Sequence, residues 1–82
     1  MIRFDASALY VALDEQRRAR EMTWEQVAAA IGVSAVTITR TRIGGRLEVD
    51  GMLAMVSWLG VPVETFAREV PGRAVGGSRG EA

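Results

Sequence analysis

The chain has no cysteine and no histidine, and every one of its ten cations is arginine, so lysine is missing too. Without cysteine or histidine there can be no Cys/His zinc site, no disulfide scaffold, no Ser-His-Asp triad and no cysteine nucleophile. The acidic residues form no clustered pair suited to acid–base or metal chemistry. No enzyme, cofactor or metal is expected. No apolar run approaches the ~20 residues that a membrane-crossing helix needs. The N-terminus lacks the basic-then-apolar pattern of a signal peptide. A cytoplasmic location, in a bacterial cell or an infected host, is the expectation. Ala, Gly and Val are abundant beside the arginines. A GC-rich genome writes that bias, so the missing lysine carries no functional weight.

What is present is an ordinary globular composition. The 82 residues are 49% hydrophobic and 24% charged, and ten acids balance the arginines to a formal charge of zero. That suits one small domain with a thin core. Residues 71–82, PGRAVGGSRGEA, include four glycines and no large apolar side chain. A flexible Gly-rich tail is expected there and a folded domain over 1–70.

Apolar spacing predicts five helices and no sheet. The first spans about Ala6 to Glu21, with Leu9 and Leu13 on one face and Asp5 or Ser7 as cap. The second starts at Thr23, where Gln26 completes a capping box, and stops at Gly32. The third runs from Ser34 to Ile43. It is rich in β-branched residues and would be a poor helix alone. A strand is the competing assignment for 36–43, rejected on the strength of the helix-Gly-Val-Ser pattern before it. Gly44-Gly45 ends it. The fourth covers about Asp50 to Leu59. The fifth is short, about Pro62 to Glu69, with Phe66 turned inward.

Two short helices separated by Gly32-Val33-Ser34 suggest a helix-turn-helix. The segment MTWEQVAAAIGVSAVTITRTRIGG, residues 22–45, resembles the helix-turn-helix of the Cro/lambda-repressor-like, or XRE-type, DNA-binding family. The family wording is close to LTQEELAEKLGVSxSTISRxExG. Thr23, Glu25, Ala28, Ile31, Gly32, Val33, Ser34, Thr37, Ile38, Arg40 and Gly44 fit it. Arg17 and Arg20 are similar to the family's ending of helix one, and Leu59-Gly60-Val61 followed by Phe66 to its later helices. The resemblance implies an all-α, five-helix DNA-binding domain whose third helix enters the major groove.

Carried over to this chain, it implies that Thr23 and Trp24 approach phosphate. Ser34, Ala35, Val36, Thr37 and Arg40 would lie on or near the groove face, and Arg42 and Arg46 would meet phosphates or a base. The chain departs from the family wording at Trp24, where Gln is usual, at the apolar pair Ala35-Val36, and at Arg42. Arg17 and Arg20 are expected to pair with carboxylates such as Glu21 or Glu25. Charge follows the same division. Residues 1–31 sum to −1, residues 32–46 to +3 with no acid, and residues 47–70 to −3. The expected function is that of a small bacterial or phage repressor, binding double-stranded DNA as a homodimer on an inverted repeat. Met55, Trp58, Val63 and Phe66 are candidates for a dimer or partner interface. Two alternatives stand beside it: a protein-interaction module on the same scaffold, and an antitoxin with a toxin as protein partner.

Overall fold

Asp5 starts the first helix, its carboxylate accepting from the Ala8 amide at 3.0 Å. Across the computed structural model, residues 1–70 are described; the expected tail, 71–82, lies outside the described residues. Helix α1 (Ala6–Ala19) buries Ala6, Leu9 and Leu13 along one stripe. It stops short of the expected Glu21. Glu21 adopts a left-handed φ of 55°, and the Met22 amide turns back to the Arg17 carbonyl at 2.9 Å. The Arg17 side chain donates to the Met22 carbonyl at 3.2 Å and holds this corner closed.

Thr23 then caps α2 (Trp24–Ile31) with both bonds of the capping box: Gln26 amide to Thr23 hydroxyl, and Thr23 amide to Gln26 side chain. Val27 and Ala28 face inward. Gly32 ends the helix at φ 90°, where a side chain would be strained, and both Gly32 and Val33 amides donate to the Ala28 carbonyl. Ser34 caps α3 (Ala35–Ile43) by accepting from the Thr37 amide at 3.2 Å. The helix assignment for this β-branched segment is therefore correct, and the competing strand does not form. Packing is what overrides propensity: Ile38 and Thr41 are buried, and α1 is the main partner of α3.

Helix α4 (Val49–Leu59) closes the core with Met55 and Val56. Thr41, the one buried polar side chain among the described residues, donates to the Thr37 carbonyl at 2.8 Å and lies 3.6 Å from the Met55 sulfur. Gly51 of α4 faces α3, where a Cβ would sit in ordinary contact, 3.5 Å from the Thr37 methyl.

The expected fifth helix and the absence of a sheet are both overturned. A single 3-10 turn, Val63–Phe66, buries Phe66, after which β2 (Ala67–Glu69) pairs antiparallel with β1 (Ile2–Phe4). Eight residues are marginal for a free helix, whereas the strand gains the bonds of the ladder and the Asp5 amide bond to the Phe66 carbonyl at 2.7 Å. Phe4 meets Phe66 at a centroid distance of 5.8 Å. Among the described residues the fold is thus mostly helical, with four α-helices and a two-stranded sheet that pairs residues 2–4 with residues 67–69.

Met55 is fully buried in the core with Leu9, Leu13, Ile38 and Phe66. Met55→Ala is expected to lower unfolding free energy by about 2–4 kcal/mol in urea denaturation. A change below ~1 kcal/mol would contradict its core position.

Candidate nucleic-acid interface

One edge of α3 is spent on the core, and the helical period dictates what the other edge shows. With Ile38 and Thr41 inside, two stripes face outward: Ala35, Thr39 and Arg42, and Val36, Arg40 and Ile43. Val36 is 56% exposed and Ile43 68%. Ser34 is exposed at the N-terminal tip, and Arg46 is exposed just beyond the Gly44 cap. The structure therefore leaves Ser34, Ala35, Val36, Arg40, Arg42 and Arg46 exposed, with Arg40 and Arg42 on opposite flanks of the outer side of α3.

The remaining expected DNA contacts are placed differently. Thr37 is half-buried, its methyl against Gly51, and its hydroxyl lies 3.2 Å from the Ser34 hydroxyl. Thr23 is exposed, but its side-chain oxygen is engaged in the capping box. Trp24 is half-buried: Tyr10 stacks on it at 5.0 Å, and the Arg17 guanidinium lies 4.9 Å from its ring centre. Its first task is to join α2 to α1.

Sequence reasoning missed Thr39 and Ile43. Counting turns from Ala35 and Val36 would have found both, since they recur four and seven residues on. Thr39 donates to the Ala35 carbonyl at 3.1 Å, so its methyl is what it offers outward. Ile43 extends the apolar part of the surface past Arg40.

Charge separates the arginines into two groups. Asp14 binds Arg17 at 2.7 Å and Arg18 at 2.9 Å, and Asp5 lies 3.4 Å from Arg68. The Arg20 guanidinium covers the Trp58 ring at 4.8 Å. Arg17 and Arg20 thus take neither Glu21 nor Glu25 as partner. Arg40, Arg42 and Arg46 have no carboxylate within 4.0 Å among the described residues. The guanidiniums of the 32–46 segment face solvent unneutralised, in the stretch that carries no acid.

The four residues expected at a dimer or partner interface do not make a surface patch. Met55 and Phe66 are core residues, withdrawn from solvent by α1, α3 and the 3-10 turn. Trp58 and Val63 are half-buried against the same core.

Beside α3 is a cleft of about 190 Å³ with Tyr10, Trp24, Ile38 and Thr39 in its walls and Glu25 and Arg42 also lining it. It is smaller than the roughly 300–1,000 Å³ of ordinary ligand sites. Among the described residues no group of three His, Cys, Asp or Glu side chains could hold a metal ion, and no helix is long and apolar enough to cross a membrane. No family model, curated protein or solved structure matches this chain.

Trp24→Ala removes the stack on Tyr10, the Arg17 contact and the burial of the ring. A stability loss of about 1–3 kcal/mol is expected in thermal or urea unfolding, with Trp24→Phe retaining most of the stability. Equal stability of wild type and Trp24→Ala would show that the ring does not join α1 to α2.

Proposed function

We propose that the chain is a sequence-specific double-stranded DNA-binding regulator, with α2 and α3 acting as a helix-turn-helix and α3 lying in the major groove. The observation that carries this is the outer surface of α3: exposed Ser34, Ala35, Val36 and Arg40, flanked by Arg42 and Arg46, all three guanidiniums without a carboxylate partner among the described residues. The helix dipole favours cations in the last turn, which accounts for Arg40 and Arg42 in part. It does not account for Arg46, which stands beyond the cap.

The side chains suit their roles. Arg40 can make two parallel hydrogen bonds to the O6 and N7 of a guanine, while Val36 and Ala35 suit contact with a thymine methyl. Arg42 and Arg46 meet phosphates. Thr23 and Trp24 fall at the start of α2, where the backbone of the duplex passes in this docking mode. With zero net charge, long-range attraction to DNA is weak. Two copies on an inverted repeat double the contacts, so the active species is a homodimer whose interface lies elsewhere than Met55 and Phe66.

A second reading rests on Val36 and Ile43, whose exposure gives the same surface an apolar character suited to a protein partner. Heparin separates the two. Retention near physiological salt favours DNA, and flow-through favours the protein module.

Selection from a randomised duplex pool should enrich an inverted repeat with half-sites about one helical turn apart. On the selected duplex, Arg40→Ala is expected to lose about 1–3 kcal/mol of affinity and to relax preference at one base position, read by fluorescence anisotropy. Equal affinity of wild type and variant for every duplex would overturn the assignment of Arg40 to a base.

A further inference from the structure

The N-terminal strand brings a cation to the same side of the molecule that sequence reasoning left unassigned. A groove of about 630 Å³ runs between β1 and the loop after α3, with Arg3 and Phe4 on one side and Gly44 and Arg46 on the other. Gly44, the C-terminal cap of α3, is part of its lining, so the groove lies at the end of the helix that carries Arg40.

We propose that Arg3 and Arg46, which line this groove from opposite elements, together hold a backbone phosphodiester of duplex DNA. The proposal rests on the DNA-binding function above and adds a contact to it.

Compensation of charge is the physical ground. The register sets Arg3 directly opposite Arg68, so two like charges share one face of the sheet, which is unfavourable. Arg68 is relieved: Asp5 lies 3.4 Å from it, and the Thr65 and Ala67 carbonyls accept from it at 2.9 and 3.1 Å. Glu69, the acid within β2, is engaged by the Met1 ammonium at 2.8 Å. Both carboxylates of the sheet and its flank are thus engaged. Arg3 has no carboxylate within 4.0 Å among the described residues, and neither has Arg46. A singly charged phosphodiester between them offsets one of the two positive charges and lowers their mutual repulsion. Its two free oxygens match the paired donors of a guanidinium.

The test is the salt dependence of binding. The full chain, Arg3→Gln, Arg3→Lys, Arg46→Gln and the double Gln variant are titrated onto a mixed-sequence duplex of about two helical turns. Salt runs from about 50 to 200 mM. Because the two share one phosphate, each Gln substitution is expected to flatten the slope of log K against log salt by up to about 0.9, the double variant by no more than about 0.9 in all, and Arg3→Lys to keep the slope. Thermal unfolding of Arg3→Gln should be unchanged or slightly higher, because repulsion from Arg68 is relieved. An unchanged slope for Arg3→Gln overturns the proposal while leaving the DNA-binding function standing. A flatter slope with a lowered unfolding temperature also overturns it, since Arg3 would then be structural. If wild type binds no duplex at any salt, the function itself fails and this contact falls with it.

Discussion

Everything at the outer surface depends on how α3 is held. Its sequence, AVTITRTRI, is a weak helix former, and only Ile38 and Thr41 are fully inside. These two side chains fix its rotation about its own axis. Ile38 lies in the core with Leu9 and Leu13 of α1, and Thr41 closes on its own Thr37 carbonyl and on Met55 of α4. A rotation of one residue, about 100°, would carry Arg40 or Arg42 toward the core, where an unpaired guanidinium is very costly. The burial of an apolar side chain and a self-satisfied threonine thus decides which residues are presented to a partner.

The polar architecture divides along the same line. At the α1–α2 corner Arg17 is shared by Asp14, the Met22 carbonyl and the face of Trp24, so one cation organises a turn that contains a strained Glu21. Along the sheet, Asp5 caps α1 and also faces Arg68. Structural arginines are therefore consumed locally. Among the described residues, the arginines with neither a carboxylate nor an aromatic ring against them gather on α3, on the loop after it and on β1. A chain with no net charge still carries an acid-free segment of charge +3 at residues 32–46.

Much of this was legible in the sequence, and the reasons are local. Thr23 with Gln26, Gly32 and Ser34 each specify a helix boundary through bonds within a few residues, and all appear where expected. Arg40, Arg42 and Arg46 were legible as an acid-free run. The sheet was not. Three-residue strands are too short for alternation to register, and their pairing joins residues 2–4 to residues 67–69 across nearly the whole folded chain. Phe66 was rightly read as buried, but the backbone that delivers it is a 3-10 turn followed by a strand. The interface role offered for Met55 and Phe66 fails because both are core residues, and periodicity cannot say which side of a small helical domain a neighbour will cover. Trp24 and Trp58 were expected at a phosphate and at an interface, and both rings are instead covered by arginines at the end of α1, Arg17 and Arg20.

The central claim is that the outer face of α3 meets DNA. Backbone amide shifts of the labelled chain, followed by NMR during titration with a duplex, test it most directly. The account predicts that the largest changes fall on residues 34–46 and at the start of α2, with Arg3 following, while the exposed side of α4 around Val49 and Leu53 stays still. Changes centred on α4, or none from a chain shown to be folded, would contradict it.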